Sequence, residues 1–251
     1  MALEKALICA YAFDDSGAAA PLDARGVESR SPGAGWLWIH LDRTQDETET
    51  WLRESANLPP LVIEALLEEE TRPRCVAMAD GLLVILRGVN LNPGAEPDDM
   101  VSVRLWVDQA RVISLRRRKL MAIQDMRESI AQGDSPRSPA DLLVEITGLM
   151  IDRMNPVIEN LNEEVDDIEE RVLEAPSQDL RSRLSHMRRQ AISLRRYLAP
   201  QRETLARLHT ERTSLLSDAH RNRLREITDR LTRYIEELDS ARDRAAVTQE
   251  E

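Results

Sequence analysis

The chain has 251 residues, of which 42% are hydrophobic and only 3% aromatic, so aliphatic side chains must build its core. Its formal net charge of −11 disfavours nucleic acid as a partner, because nucleic-acid-binding domains are usually basic, and attracts cations instead. Cys9 and Cys75 form no CxxC pair and fit a reducing compartment. The sequence has no run of about 18 apolar residues and no signal-peptide pattern at its start.

Strand-like and helix-like segments alternate as far as about Gly133. Period-two and apolar runs predict strands at residues 6–13, 36–41, 74–79, 82–91, 101–108 and 111–116. Helices are expected from Asp42 or Thr44 to about Ser55, from 61 to 69 behind a Pro-Pro pair, and over 119–132. Residues 14–35 and 92–99 are predicted to be loops. We therefore expect a mixed sheet with helices packed on it.

Residues 133–139 (GDSPRSP) form a cluster of helix and strand breakers, after which the whole sequence has a helical pattern. One helix is expected from the Ser138 cap to Pro176, a second from about 178 to 214, and a third from Ser217 onward. The third helix carries an apolar seam at Leu224, Ile227, Leu231, Ile235 and Leu238. The predicted fold class is therefore α+β: an α/β/α mixed-sheet domain at 1–133 and a long-helix region at 138–251. No glycine or proline terminates the last helix, which predicts that it continues beyond Glu251.

Charge is divided unevenly between the predicted helices. Residues 156–175 hold eight carboxylates and one arginine, a net charge of −7, whereas 176–233 hold 14 arginines and six carboxylates, a net charge of +8. Either the two faces pair across a helical hairpin, or the acidic helix faces a reservoir of cations. Glu163, Asp166, Asp167 and Glu170 are spaced three and four apart and share one face, where they repel unless a divalent cation or neighbouring arginines neutralise them. A one-sided face lacks the cage of oxygens that hard cations prefer, so weak and diffuse binding is expected.

The sequence contains no motif typical of an enzyme: no P-loop, GxGxxG, HExxH or GxSxG is present. The four histidines are His40, His186, His209 and His220, and none has the i, i+4 spacing of a helical zinc pair. His40 is interpreted as a structural residue at a strand end, and the others as surface or interface residues. A zinc site between helices or subunits stays open beside that interpretation, because neutral imidazole is a common zinc ligand.

Three segments carry a resemblance to a known family: 67–74 (LEEETRPR), 116–119 (RRRK) and 194–202 (LRRYLAPQR). They resemble ZntB proteins, a branch of the CorA superfamily of metal-ion transporters. The order and spacing match from Trp36 to about Leu238. The residues that match the family motifs are Thr71, Arg72, Pro73, Arg74, Arg195, Arg196, Tyr197, Pro200, Gln201 and Arg202.

The resemblance implies a cytoplasmic α/β/α domain whose long helices form a funnel, and a stalk helix that continues into the first of two transmembrane helices. It also implies a homopentamer in the bacterial inner membrane, with this part in the cytoplasm. No cofactor is required. Zinc is the expected cargo or weakly bound ion, with magnesium, cobalt, nickel and cadmium as alternatives. The family's Gly-Met-Asn or Gly-Val-Asn signature follows the first transmembrane helix, so Gly88-Val89-Asn90 inside the sheet region is interpreted as a chance match.

The predicted function is therefore the cytoplasmic domain of a divalent-cation transporter. The alternative is a soluble, oligomeric interaction or scaffold protein with an α/β head on a helical stalk. An enzyme ranks third, because no nucleophile, base or metal-ligand constellation stands out.

Overall fold

A mixed sheet of seven strands forms the first half of the protein. The computed structural model describes residues 3–30, 35–78, 80–174 and 177–250. The strands are β1 (Leu7–Phe13), β2 (Ala19–Leu22), β3 (Trp36–Asp42), β4 (Arg74–Met78), β5 (Gly81–Gly88), β6 (Val101–Val107) and β7 (Arg111–Arg116). Their order across the sheet is β2-β1-β3-β7-β6-β5-β4, and every pairing is antiparallel except the parallel pair β3–β7.

Helices cover both faces of the sheet. Those on one face are α1 (Ala24–Ser29), α2 (Asp46–Glu54) and α3 (Pro60–Leu67). The other face packs against α4 (Met121–Ala131) and α5 (Pro139–Asp152), followed by α6 (Asn155–Glu174), α7 (Gln178–Thr210) and α8 (Asp218–Glu250). Side-chain alternation along the strands creates the two cores: in β5, Leu82, Val84 and Leu86 join the α5–α8 side, whereas Leu83 joins α2 and α3. The predicted α/β/α mixed sheet followed by long helices is confirmed.

The prediction of a loop over 14–35 was wrong in part, because this segment contains β2 and α1. β2 is an edge strand that pairs with β1, where Pro21 lies opposite Tyr11. An edge position tolerates a proline because one side of the strand needs no hydrogen-bond donor. Asp23 then caps α1, since its side chain accepts a hydrogen bond from the Gly26 N–H at 2.7 Å.

The first long helix is also shorter than its periodicity indicated. The apolar spacing continues from Leu142 to Val172, but the helix is interrupted at Arg153 and Met154 and restarts as α6. Pro156 explains the break, because it has no N–H to donate to the carbonyl four residues earlier and is tolerated only in a first helical turn. α7 ends at Thr210 rather than near 214.

The predicted cap of α5 was correct, whereas the predicted cap of α2 was not. Ser138 caps α5 and accepts a hydrogen bond from the Asp141 N–H, with Pro139 in the first turn as expected. α2, however, begins at Asp46 behind Gln45, so neither Asp42 nor Thr44 caps it. The Asp42 carboxylate instead accepts hydrogen bonds from the N–H and hydroxyl of Thr44 in a local turn.

The apolar seam of α8 is buried inside the single chain. Its residues, Leu224, Ile227, Leu231, Ile235 and Leu238, are all at most 4% exposed. α8 packs against α5, α6 and α7, and one continuous hydrophobic core runs from these helices to the sheet. Because the sheet and the long helices share this core, the division of the chain into one domain at 1–133 and another at 138–251 stays a prediction. No helix in the described part of the chain is long and apolar enough to cross a membrane.

Candidate functional site

The three segments that carry the family resemblance converge on one cleft of about 690 Å³. The 68–74 segment forms one wall, and Arg117 and Arg118 from the RRRK segment contribute to another. α7 supplies Arg196, Tyr197 and Pro200. Segments more than 100 residues apart in sequence thus build a single concave surface, which makes this cleft the principal candidate site.

Two arginines of the sheet hold the chain that leaves α3. Arg104 donates from Nη1 to the carbonyl oxygen of Leu66 at 3.1 Å and from Nη2 to that of Glu69 at 3.3 Å. Arg87 donates from Nη2 to the carbonyl oxygen of Thr71 at 2.7 Å. The last carbonyls of a helix lack intrahelical donors and lie at its negative end, so cationic donors suit this position. The two guanidinium groups therefore fix the 66–71 segment against the sheet.

Gln201 connects α7 to β5, the strand that contains Arg87. The pairing of β4 with β5 begins at Arg74 opposite Ile85, because Pro73 has no N–H with which to extend the ladder. Beyond that point the Arg87 N–H donates to Gln201 Oε1 at 2.6 Å, and Gln201 Nε2 donates to the Arg87 carbonyl oxygen at 2.9 Å. The side-chain amide thus replaces the missing strand partner. Since Gln201 is 1% exposed, both bonds are shielded from water.

The remaining motif residues have different positions. Tyr197 lies beside two guanidinium groups, with Arg87 at 4.8 Å and Arg196 at 5.9 Å from its ring centroid. Arg195 points away from the cleft and pairs with Asp239 of α8 at 2.7 Å. Arg202 is half-buried and does not line the cleft. The motif therefore serves both the cleft and the packing of α7 on α8.

The cleft has a surplus of positive charge. Its lining includes four carboxylates, from Glu68, Glu69, Glu70 and Asp99, and seven arginines: Arg72, Arg74, Arg87, Arg104, Arg117, Arg118 and Arg196. Only two of these arginines form ion pairs within the described residues, Arg74 with Glu68 and Arg118 with Asp99. Burial, and then the like charges of Arg43 and Arg87, lowers the pKa of Arg104 to about 10, so Arg104 remains charged at neutral pH.

The predicted acidic face lies on α6, away from this cleft. All four of its predicted metal ligands, Glu163, Asp166, Asp167 and Glu170, are exposed. Asp166 pairs with Arg244 of α8, and Asp167 pairs with Arg171 one turn along its own helix at 3.3 Å. Among the described side chains, no ion pair joins 156–174 to an arginine of 177–233. The pairing of these two charged segments with each other therefore stays a prediction, and the interhelical ion pair of Asp166 is made with Arg244 on α8.

The four histidines are not brought together. His40 is fully buried in β3 and contacts Ser114 Oγ at 2.8 Å. His186 is exposed on α7 and lines a separate groove with Glu164 of α6, while His209 lies half-buried near the end of α7. His220 Nδ1 accepts a hydrogen bond from the Ser217 N–H, so its Nε2–H donates to the Asp141 carboxylate at 2.8 Å. Each histidine thus has a different environment.

Within the described part of the chain, no three His, Cys, Asp or Glu side chains are placed to hold a metal ion together. The predicted metal residues therefore do not form one site within a single chain. Sequence reasoning did not single out Arg87 and Arg104, which are central to the arginine cleft. The sequence feature that could have identified them is a single arginine in each of two otherwise largely apolar strands, GLLVILRG and VSVRLWV. A charged residue in a buried strand requires a specific partner, so such a position indicates a polar site.

The fold matches that of two solved structures over nearly the whole chain. The structure of the full-length CmaX protein matches with a TM-score of 0.92 and 38% identity, covering 98% of this chain and 76% of that one. The crystal structure of the ZntB cytoplasmic domain from Vibrio parahaemolyticus matches with a TM-score of 0.85 at 23% identity, covering 98% of this chain and 96% of that one. The second likeness shows the shared fold.

The CorA-like Mg2+ transporter protein family model matches residues 33–251. The chain belongs to this family, and the predicted membership of the CorA superfamily is confirmed. It is 40% identical over 216 residues to the divalent cation transporter CmaX of Pseudomonas aeruginosa, with 85% of this chain and 65% of that protein covered. It is 34% identical over 236 residues to the zinc transport protein ZntB of Yersinia enterocolitica, with 92% and 72% covered. The chain thus spans about two thirds of the length of these curated relatives.

Proposed function

We propose that the chain is the cytoplasmic domain of a divalent-cation transporter, with zinc as its first expected cargo. The observation that carries this proposal is the family match over 33–251. Relatives named for divalent-cation and zinc transport support the class of cargo. In the proposed molecule the long helices α6, α7 and α8 line an intracellular funnel, and α8 leads toward membrane-spanning helices.

The proposal includes a homopentamer in the bacterial inner membrane. The seam of α8 is already buried against its own chain, so contacts between subunits must use other surfaces. Sedimentation of the protein with its membrane segments tests the assembly, and a stable dimer contradicts it.

Transport itself is tested with the product of the complete reading frame, reconstituted in liposomes that contain a zinc-sensitive dye. We expect zinc entry above that of empty liposomes, with competition by cobalt, nickel or cadmium. Magnesium entry is measured in parallel with its own indicator. A reconstituted, correctly folded protein that moves none of these ions contradicts the proposal and favours an interaction or scaffold role.

We further propose that the acidic face of α6 enriches divalent cations without binding them tightly. Glu163, Asp167 and Glu170 are exposed on one side of a helix, and Asp166 is already held by Arg244. Such a face supplies charge but no cage, so zinc and magnesium are expected to bind with dissociation constants weaker than about 10⁻⁴ M and with little preference. Binding should fade as salt rises, because the Debye length is only about 8 Å at 0.15 M ionic strength.

Titration calorimetry at low and high salt measures this effect. The triple variant Glu163→Gln, Asp167→Asn, Glu170→Gln should abolish most of the heat of binding. A control triple with three exposed carboxylates elsewhere, Asp15→Asn, Glu64→Gln and Glu203→Gln, should retain most of it. Equal losses in both triples, or tight, zinc-only, salt-insensitive binding, would contradict the diffuse model. The second result would point to a true site that uses His40, His186, His209 or His220.

A further inference from the structure

The cleft defined by Thr71, Arg87, Arg104, Arg117 and Arg196 contains buried polar groups that the protein itself leaves unsatisfied. Arg104 is 2% exposed and Thr71 is 4% exposed. Arg104 Nε and Thr71 Oγ1 have no hydrogen-bond partner in the described part of the chain. Leaving a buried polar atom unpaired is costly, and such atoms in native proteins call for an explanation such as a bound ligand.

The charge of the same cleft is also uncompensated. The guanidinium groups of Arg104 and Arg87 donate to neutral carbonyl oxygens, and neither forms an ion pair with a carboxylate in the described part of the chain. Arg72, Arg117 and Arg196 are exposed at the rim and form no ion pair within the described residues. Seven arginines against four carboxylates leave a surplus of three positive charges. A divalent cation is therefore repelled from this cleft.

We propose that this arginine cleft binds a small phosphate-bearing anion. Guanidinium groups offer planar, paired N–H donors that match phosphate oxygens, and several donors here converge from different segments. A volume of about 690 Å³ admits a ligand larger than one phosphate group. The surplus of three charges matches an anion that carries two to four negative charges at neutral pH. Inorganic phosphate, pyrophosphate and a nucleoside triphosphate share this chemistry.

A ligand in this position would contact three parts of the fold at once. The cleft is bounded by the chain after α3, by the end of β5 where Gln201 bonds to Arg87, and by the Arg196–Tyr197 turn of α7. Binding would therefore stabilise the contact between the α/β head and the long helices. In this respect the inference goes beyond cation transport, since it assigns an anion to a surface outside the proposed path of the metal.

Titration calorimetry of the 251-residue chain with phosphate, pyrophosphate and ATP, at constant ionic strength set with sodium chloride, tests the proposal. The triple variant Arg72→Gln, Arg117→Gln, Arg196→Gln changes only exposed rim residues and should weaken pyrophosphate binding by about tenfold or more. Comparison of the three anions identifies whether one phosphate group is sufficient. Stronger binding of ATP than of pyrophosphate would indicate that the cleft recognises a nucleotide. Equal binding would indicate that it recognises the phosphate groups alone.

A matched control removes the same number of charges elsewhere. Arg188, Arg212 and Arg225 are exposed, lie outside the cleft and form no ion pair within the described residues. Their triple replacement by glutamine should leave pyrophosphate affinity within about twofold of the wild type, because charges beyond a Debye length are screened. Equal weakening in the two triples overturns the proposal, as does the absence of binding by all three anions.

Thr71→Val separates ligand binding from folding. Threonine and valine have nearly the same shape, and Oγ1 makes no hydrogen bond within the described residues, so urea unfolding of the free protein should show no loss of stability. Pyrophosphate affinity should nevertheless fall severalfold, because the buried donor is lost. Unchanged affinity overturns the role of Thr71. An acidic peptide that binds to the wild type when phosphate and pyrophosphate do not would overturn the proposal as a whole. Failure of zinc transport does not affect these measurements.

Discussion

Replacing Gln201 by leucine is expected to lower the free energy of unfolding by about 3 kcal/mol. The side-chain amide of Gln201 accepts from the Arg87 N–H and donates to the Arg87 carbonyl oxygen, and its side chain is 1% exposed. Leucine removes both bonds, and the β5 backbone has no replacement partner there because β4 pairing begins only at Arg74, opposite Ile85. A buried N–H and a buried C=O are then left unsatisfied.

Urea unfolding followed by circular dichroism measures this loss. Gln201→Glu keeps an acceptor for the Arg87 N–H, but its ionised form loses the donor to the carbonyl oxygen and adds a buried charge, so this variant should also be less stable than the wild type. Gln178→Glu, in the exposed first turn of the same helix, is the control and should change stability by less than about 0.5 kcal/mol. A Gln201→Leu variant as stable as the wild type would show that the amide does not hold α7 against β5.

Acidification should destabilise the protein through His40. His40 is fully buried, and its pKa is lowered from 6.5 to about 3. Burial is the largest cause, and the positive charges of Arg116 and Arg127 lower the pKa further, whereas the hydrogen bond with Ser114 raises it. The unfolded chain therefore takes up a proton near pH 6.5 that the folded chain refuses until about pH 3. The stability that depends on neutral His40 is fully present above pH 6.5 and is lost progressively as the pH falls toward 3.

The loss attributable to this residue should reach about 2 kcal/mol between pH 7 and pH 5, at about 1.4 kcal/mol for each pH unit well below 6.5. Urea unfolding of the wild type and of His40→Gln at several pH values isolates the effect, because glutamine does not titrate. His40→Gln itself costs stability at pH 7 through its lost contact with Ser114. Its decline with acidification should be shallower than that of the wild type. Parallel pH profiles for the two proteins would show that His40 is not held neutral by the fold.

Gln201 and His40 are polar side chains buried in an aliphatic core, and each is accommodated there in a different way. The side-chain amide of Gln201 forms hydrogen bonds with the backbone N–H and C=O of Arg87, at the end of β5 where β4 no longer supplies a partner. His40 is accommodated by remaining neutral beside Ser114, whose Oγ also accepts from Trp38 Nε1 at 2.8 Å. His40 Nε2 and Arg104 Nε are both buried without a hydrogen-bond partner in the described part of the chain, but Arg104 differs in that it stays charged. The Nε–H of this charged group is therefore a donor without a partner in the arginine cleft.

Local chemistry in the sequence was sufficient to predict most elements of this protein. Alternation and apolar runs located six of the seven strands, and Ser138-Pro139 fixed the start of α5. The apolar seam of α8 was predicted from its spacing, and its burial confirms that it packs. These features depend on residues within one or two turns of each other. Periodicity alone nevertheless missed the interruption before Pro156, because the apolar spacing resumes in register on the far side of the break.

Contacts between residues distant in sequence were decided only by the tertiary structure. β2 has a weak strand pattern and exists because β1 offers it a partner. The Gln201–Arg87 bonds join residues 114 positions apart, and Arg244 meets Asp166 across 78 positions, so neither pair leaves a periodic signal in the sequence. The acidic residues of α6 were visible as a charge run, but which arginine neutralises them depends on how α8 lies beside α6. The family resemblance identified several residues of the cleft from the sequence. Only the tertiary structure showed that the 68–74 segment, the sheet and α7 bring them together around one cavity.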